Sequence, residues 1–425
     1  MKRLTKLLVP VFMFAFLVAF CALPVKAEGN VIFIKDGATG DGSSADSALK
    51  PTTGNYDANN PQPELYKDAA LYQAMEKLME AGGGTIVVCG PYTLDDSNCK
   101  SIGGSSADFI MDPTTYMPDV TITYTSVWDG VDYRETAGAE IILDQRAHLT
   151  FPTGTVLENI NVRGTEANEV HFVCAGINPI TLAQGTNFIP WEEGNLETAP
   201  TLLGSFRNNR DGLKEGNTSI TIDIGDENAV GRIFGQCNGG TGRHIGDANI
   251  TIKSGTIWSV FGDSPCHEQV PIEGNVTINL EGGIFTGIIG GVWTGFVGDG
   301  DRAVNINITG GDFTNCPIIM GYSPNSLTAN VPNSAVVDMT GASAEVAEAA
   351  YAVCDGTITE VKLPEGLSFE ASAEDAENAE TETTGGAAEE NTEDGGVNVA
   401  LIVVIAVVVV AVIVVAVVLK KKKSA

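Results

Sequence analysis

A short alternation of polar and apolar residues recurs four times between residues 217 and 322 of this chain. Each copy places apolar residues at alternate positions, so that one face of a strand points inward and the other stays polar. The four copies are Thr218-Ser-Ile-Thr-Ile222, Ala248-Asn-Ile-Thr-Ile252, Gly274-Asn-Val-Thr-Ile278 and Val304-Asn-Ile-Asn-Ile308. Their last isoleucines are spaced by 30, 26 and 30 residues. This repetition predicts stacked units that bury their apolar faces against one another.

The segments between the copies contain no helical pattern of ten residues, which argues against alternating strands and helices. We therefore expect an all-β chain in which residues 28–369 form a single parallel β-helix (a β-solenoid). The one convincing helix of this region spans about residues 64–81, because apolar residues recur there at a spacing of three to four. We expect this helix to cover the open N-terminal end of the core.

The N-terminal 27 residues have the pattern of a secretory signal peptide. A basic start is followed by an apolar run over residues 7–24, and Val25-Lys-Ala27 supplies small residues for cleavage after Ala27. Cys21 raises the alternative of a lipoprotein, but Phe20 is too bulky to precede a lipidated cysteine.

The other end of the chain predicts a single transmembrane helix over residues 398–419. Residues 399–419 are apolar and uncharged, and as a helix they would span about 31 Å, close to the thickness of a bilayer core. The tail, residues 420–425, carries four consecutive lysines and is expected in the cytoplasm. Residues 370–397 hold ten acidic residues and no basic ones, which predicts a disordered, extended linker. The protein is thus expected at the cell membrane with its N-terminus and β-helix outside.

The charge of the predicted ectodomain restricts its partners. It has 16 basic and 54 acidic residues, a net charge of −38. Nucleic acid and a bare anionic membrane surface are therefore poor ligands, although the anchor itself contacts the lipid bilayer. Cations, basic proteins and neutral glycans remain. Seven cysteines stay after cleavage, without zinc spacing, and we interpret them as buried thiols, with a Cys89–Cys99 pair as the alternative.

Acidic turns precede the repeated strands and form the first candidate site. If equivalent positions stack about 4.8 Å apart, aligned carboxylates repel one another unless they point into solvent or hold a cation such as Ca²⁺. Solvated turns and a calcium site both remain open. The candidate ligands are Asp299, Asp301, Asp247 and Asp263.

Aromatic residues in the repeats form the second candidate site. Trp258 and Trp293 are candidates for stacking on sugar rings, because an indole has an apolar face and an N–H group that favours a wet partner. The phenylalanines in the same region, such as Phe261, Phe285 and Phe313, are interpreted as core. Asn249, Asn275 and Asn305 share one register in the copies above, which predicts an asparagine ladder along the axis.

Several segments resemble the pectin-lyase-like right-handed parallel β-helix superfamily, and the later repeats are similar to adhesin-like β-helix proteins of bacterial surfaces. The segments that carry the resemblance are Val31-Ile-Phe-Ile34, Leu71-Tyr-Gln-Ala-Met75, Ala81-Gly-Gly-Gly-Thr-Ile-Val-Val88, Pro91-Tyr-Thr-Leu94 and Leu157-Glu-Asn-Ile-Asn-Val-Arg-Gly164. The resemblance implies the fold over roughly residues 30–365. The catalytic signatures of polygalacturonase-like and pectate-lyase-like members are missing from the chain, so no catalytic role is carried over.

These observations predict a membrane-anchored cell-surface protein that is not an enzyme and that acts as an adhesin or recognises a carbohydrate, a host surface or a neighbouring surface protein. The first alternative is an extracellular polysaccharide lyase or glycoside hydrolase that uses Asp223, Asp247, Asp263, Asp299 and Asp301 together with Arg243 or Arg302. The second alternative is a structural component of a surface layer.

Overall fold

The computed structural model describes residues 29–51, 65–95, 98–101, 107–109, 116–145, 147–166, 170–206, 214–236, 244–263, 272–292, 302–323 and 332–369. Within these residues β-strands are the main regular structure, and most of them form long parallel sheets. This arrangement is consistent with a parallel β-helix. We call each stretch from one strand of the longest sheet to the next a coil.

The longest sheet has eleven strands, and their order in the sheet is their order in the chain. Every neighbouring pair is parallel. Each coil therefore adds one strand to this sheet. The strands are Val31–Ile34, Gly84–Val88, Met117–Thr125, Thr153–Glu158, Ile180–Leu182, Thr218–Asp223, Ala248–Ser254, Val276–Leu280, Ala303–Ile308, Ser334–Asp338 and Glu360–Lys362.

A second sheet of ten strands runs along the same coils, and all its pairs are parallel except the one between its first two strands. Because both sheets draw one segment from each coil, the core lies between them. The strands of the second sheet are Lys100–Ser101, Ala107–Phe109, Ala147–Thr150, Phe172–Cys174, Thr201–Leu203, Ala229–Phe234, Thr256–Phe261, Ile284–Phe285, Ile289–Val292 and Ile319–Tyr322.

Three small sheets and a few helical segments complete the described part of the chain. The four-stranded parallel sheet contains Pro91–Leu94, Glu140–Leu143, Asn161–Gly164 and Asn187–Ile189. The three-stranded parallel sheet contains Lys214–Glu215, His244–Ile245 and Ile272–Glu273, and an antiparallel pair contains Val127–Trp128 and Val131–Asp132. The α-helices are Ala70–Glu80, Tyr133–Ala137 and Ala344–Tyr351, and the 3-10 turns are Leu65–Asp68 and Leu196–Thr198.

The register of the longest sheet differs from the sequence expectation at the third repeat. Ile252 pairs with Leu280, not with Ile278, so successive coils contain 30, 28 and 28 residues. The expected alignment was therefore shifted by two residues. Side chains alternate with a period of two, so this shift leaves the same residues facing inward and is invisible to a pattern of apolar positions.

The shared register expected for three asparagines is wrong for the same reason. Asn249 pairs with Thr277, and Thr277 pairs with Asn305, all three on the outer face of the sheet. Asn275 lies instead level with Asp247, at the point where the chain enters the strand. The asparagine side chains that do contact along the axis are those of Asn307 and Asn279, where the amide of Asn307 donates a 2.8 Å hydrogen bond to the side-chain oxygen of Asn279.

Inward-facing side chains of the longest sheet form a continuous apolar core. In the four central coils these positions are fully buried or nearly so, and each buried isoleucine or leucine contributes about 1.5–3 kcal/mol relative to exposure. The residues are Ile220, Ile222, Ile250, Ile252, Ile278, Leu280, Ile306 and Ile308. This core continues along the stack to the last coils.

A column of glycines lets the second sheet approach the start of the longest sheet. A Cβ atom at Gly262 would overlap the side chain of Val276, and one at Gly291 would overlap the side chain of Val304. Gly235 meets Ala248 in the same way one coil earlier. The glycines are needed because the two sheets converge here more closely than any side chain allows.

Helices lie near both ends of the described stack. Ala70–Glu80 buries Leu71, Met75 and Leu78 in the same core as the first strands, so it lies at the N-terminal end, and it begins later than the predicted residue 64. Ala344–Tyr351 is a second helix that the sequence analysis missed, and the expectation of one convincing helix was wrong. Its Ala347 and Ala350 pack on the core of the last coils.

The segments assigned to a signal peptide, an acidic linker, an anchor and a basic tail all lie outside the described residues. Among the residues that are described, no helix has both the length and the apolar character required to cross a membrane.

Candidate functional site

Polar side chains form a ladder where the chain enters the strands of the longest sheet. The N–H of Asp247 donates to the side-chain oxygen of Asn217 at 2.9 Å, and the N–H of Asn275 donates to a carboxylate oxygen of Asp247 at 2.8 Å. The N–H of Ala303 continues the ladder to Asn275 at 3.1 Å. Each step joins two neighbouring coils, so Asp247 satisfies a backbone donor that would otherwise lack a protein partner at this edge.

Of the other predicted calcium ligands, only Asp263 lies in the described part of the chain. Asp263 follows the strand Thr256–Phe261 and is fully buried. Asp299 and Asp301 lie outside the described residues. In the described part of the chain, no group of three or more His, Cys, Asp or Glu residues is arranged to hold a metal ion.

Asp223 lies at the far end of its strand from the polar ladder. Its carboxylate accepts hydrogen bonds of 2.9 Å from the amide of Gln184 and from the hydroxyl of Ser254. Six residues of strand separate it from Asn217, which stacks on Asp247, so the two carboxylates are about 20 Å apart at 3.3 Å per residue. The structure therefore does not bring Asp223 and Asp247 into one site.

Of the two arginines considered for a catalytic cleft, Arg302 lies in the described part of the chain. Arg302 lies one position before Ala303 at the start of its strand, and its N–H donates to the side-chain oxygen of Asn333 at 3.5 Å. Arg243 lies outside the described residues.

Trp258 is half-buried on the outer face of the second sheet, and a cation covers its ring. The guanidinium carbon of Arg232 lies 4.7 Å from the centre of the indole, and Arg232 also forms a 2.5 Å ion pair with Glu197. Burial lowers the pKa of Arg232, while Glu197 acts in the opposite direction, and the guanidinium remains charged. Trp258 thus presents an aromatic ring beside one positive and one negative group.

Trp191 is an exposed aromatic that the sequence analysis missed. It is 42% exposed and lies between the strand Asn187–Ile189 and the 3-10 turn Leu196–Thr198, the segment that also supplies Glu197. A tryptophan after a proline, in an acidic segment rich in turn residues, was the available signal. Trp293, the other predicted sugar-stacking residue, lies outside the described residues.

The described phenylalanines of the repeats are buried, as interpreted from the sequence. Phe285 and Phe313 stack in the main core with ring centroids 5.1 Å apart. Phe261 stacks on Phe234 at 5.2 Å in a smaller apolar cluster that also contains Cys174. These rings support the structure and are not accessible to a ligand.

No disulfide links the described cysteines to one another. Cys89, Cys99, Cys174 and Cys316 are buried and Cys354 is half-buried, so the structure does not show the alternative Cys89–Cys99 disulfide. Burial raises the pKa of Cys316 to about 11 and that of Cys354 to about 12. Thiols of this kind are unreactive at neutral pH.

Comparison of the chain with protein-family models, with curated proteins and with solved structures finds no match. Its function is therefore inferred from the chain's own residues and from where the coils place them.

Proposed function

We propose that this protein is a cell-surface adhesin whose ectodomain, a right-handed parallel β-helix of the pectin-lyase-like type, recognises a glycan or a neighbouring surface without catalysis. A signal peptide over residues 1–27 would export it, and a single helix over residues 398–419 would hold it in the membrane with the lysine tail in the cytoplasm. Residues 370–397 would keep the β-helix away from the bilayer.

The observation that carries this proposal is that the candidate carboxylates Asp247 and Asp223 accept hydrogen bonds from the protein's own backbone and side chains. Asp247 accepts a backbone N–H from the next coil, and Asp223 accepts an amide and a hydroxyl at the opposite end of the strand. Hydrolysis of a glycosidic bond by the usual mechanism uses two carboxyl groups within about 10 Å of each other across the scissile bond. Asp223 and Asp247, about 20 Å apart along the strand, do not form such a pair.

Trp191 provides an open aromatic surface that fits a sugar ring, whereas Arg232 covers the ring of Trp258. Trp191 is exposed, and Trp258 lies beside Arg232 and Glu197, which can donate to and accept from hydroxyl groups. An aromatic face with adjacent polar groups suits a glycan.

The test is to incubate the purified protein with plant, host and microbial polysaccharides, with and without calcium, and to measure binding together with new reducing ends. We expect binding to at least one polysaccharide without cleavage. Cleavage that disappears when Asp299 and Asp301 are both replaced by asparagine would show that the protein is an enzyme. If the protein binds no glycan and instead assembles with other copies of itself into ordered arrays, it is a surface-layer component.

A further inference from the structure

Two neighbouring strands of the second sheet, Ala147–Thr150 and Phe172–Cys174, are not paired along their full length. Their pairing begins only at Leu149, so that His148 and Phe172 face each other outside the ladder. Both residues do pair with the strands on their other sides. The interruption is therefore confined to the gap between these two strands.

A regular ladder would join the two strands at this point through the N–H of Phe172 and the carbonyl oxygen of Ala147. The alternation of parallel bonds requires this, since the N–H of Phe151 donates to the carbonyl oxygen of Cys174 just beyond the same strands. In the structure, the N–H of Phe172 donates instead to Nδ1 of His148 at 3.1 Å. One imidazole thus takes the place of a backbone acceptor.

A second imidazole contacts the carbonyl oxygen that this exchange leaves. Nδ1 of His171 donates to the oxygen of Ala147 at 3.0 Å, and Nε2 of the same ring lies 3.0 Å from the carbonyl oxygen of Thr165. The ring also packs against Gly164, where a Cβ atom would come within 2.7 Å of it. We call His148 and His171 the histidine wedge; their ring centroids are 6.3 Å apart, and together they replace one bond of the ladder.

The hydrogen bond from the backbone determines which nitrogen of His148 carries a proton. A backbone N–H can only donate, so Nδ1 of His148 is unprotonated and the ring is neutral, with its proton on Nε2. A second proton would place one N–H against another and end the bond to Phe172. It would also charge a ring that is fully buried, which is costly for a side chain in the interior.

Titratable residues flank His148 on both neighbouring strands. His171 lies on one side, and Asp108 is the partner of His148 in the strand on the other side. Asp144 is more remote, because its carboxylate accepts a 2.6 Å hydrogen bond from the hydroxyl of Thr165. Both ring nitrogens of His171 face carbonyl oxygens, so that ring can take a second proton and keep its hydrogen bonds. Of the two rings, only that of His148 must lose a bond when it is protonated.

We propose that the histidine wedge is a pH-sensitive switch in the second sheet. While His148 is neutral, the wedge is in place. When His148 gains a proton, its ring leaves the interruption, and the N–H of Phe172 closes the ladder on the carbonyl oxygen of Ala147. That oxygen has two lone pairs, so it keeps its bond to His171 as well. Histidine ordinarily titrates between about pH 5 and about pH 8, so the switch acts in mild acid.

The experiment follows hydrogen exchange of the full-length chain in mild detergent at about pH 7.5 and at about pH 5.5, corrected for the intrinsic exchange rate. We expect the protection of peptides that cover residues 147–151 and 171–175 to change by at least about threefold between the two conditions. His148→Asn keeps an acceptor near the position of Nδ1 that does not titrate, so at both pH values it should match the wild type at about pH 7.5. His148→Val removes the acceptor and suits a strand, so it should match the wild type at about pH 5.5.

A matched control removes a nearby charge without touching the wedge. The carboxylate of Asp144 accepts from Thr165 and not from either imidazole, so Asp144→Asn should keep the wild-type response to pH.

A second readout identifies the protonated nitrogen directly. When the four histidines of the chain are labelled with nitrogen-15, the resonances of His148 are those missing from His148→Asn. We expect one proton on Nε2 of His148 at about pH 7.5 and protons on both ring nitrogens at about pH 5.5.

Several outcomes would contradict the switch, and none of them bears on the proposed function. A change in protection that persists in both His148 variants overturns it, and so does a proton on Nδ1 of His148 at about pH 7.5. If neither variant folds, exchange of the wild-type chain decides, because equal protection at the two pH values also overturns the switch.

Discussion

The carboxylate of Asp247 accepts a 2.8 Å hydrogen bond from the backbone N–H of Asn275, one coil further along the chain. An asparagine oxygen does the same for the N–H of Asp247, since Asn217 accepts that bond. Charge is therefore not needed at this position. We expect Asp247→Asn to keep the free energy of unfolding, and Asp247→Ala to lower it by about 1 kcal/mol, measured by urea denaturation. Equal stability of the alanine variant would contradict this role.

The calcium hypothesis makes a different prediction at the same residue. If Asp247 and Asp263 hold Ca²⁺ together with Asp299 and Asp301, millimolar calcium should raise the melting temperature above that measured in a chelator, because a ligand that binds the native state stabilises it. Asp247→Asn should reduce that increase. A melting temperature that is the same with calcium and with chelator would show that these carboxylates hold no calcium.

The glycine column should not tolerate a side chain. A methyl group at Gly262 would overlap Val276 and the carbonyl oxygen of Gly291, and both are held in the stack. We expect Gly262→Ala to lower the free energy of unfolding by about 1–3 kcal/mol. Gly356→Ala is the matched control, since a Cβ there meets no atom within 4 Å. The free energy of unfolding of this variant should be unchanged or slightly higher.

Buried thiols should resist modification in the folded protein. Burial raises the pKa of Cys316 to about 11 and that of Cys354 to about 12, so at pH 8 both are protonated. We expect iodoacetamide to label neither residue in native buffer and to label both in urea, as read by peptide mass spectrometry. Rapid labelling of Cys316 in the native protein would contradict its packing.

Acid should destabilise the protein in part through Asp132. The Arg134 guanidinium and the Arg134 N–H lower the pKa of Asp132, with an ion pair of 2.6 Å. A carboxyl with a lowered folded pKa stabilises the native state above its unfolded pKa of about 3.9, and that contribution is lost as pH falls through the folded pKa. The melting temperature should therefore drop below about pH 4, and less so in Asp132→Asn than in the exposed control Asp129→Asn. An identical drop in melting temperature in both variants would show that the Asp132–Arg134 ion pair does not contribute to the loss of stability in acid.

The alternation of apolar residues was sufficient to predict coils, parallel strands and a buried face. A strand that buries one face must carry apolar residues at alternate positions. It could not resolve the register of the third repeat, since Gly274-Asn-Val-Thr-Ile278 and Val276-Thr-Ile-Asn-Leu280 satisfy the same pattern. The information was present in the pairs Gly246-Asp247 and Gly274-Asn275. A Cβ at Gly274 would overlap the oxygen of Gly246, so these glycines must stack.

The candidate site was less predictable because its residues meet across coils. Trp258 was found from its residue type, but its contact with Arg232 depends on the bulge-free pairing of two strands and on Glu197 from a separate turn. The ladder of Asn217, Asp247 and Asn275 was missed because each coil supplies only one of its residues. It becomes visible only when the pairing of the strands is known.

One strand per coil also determines how the protein would respond to a pulling force. If the chain is held at its C-terminal end, tension reaches the strand Glu360–Lys362 first and opens its bonds to Ser334–Asp338 from one end. Each coil that detaches would then release about 30 residues, or about 100 Å of extended chain, before the next is loaded. The molecule would lengthen in steps and absorb mechanical work. The coils nearer the N-terminus would stay folded meanwhile, so a ligand bound to them would stay bound.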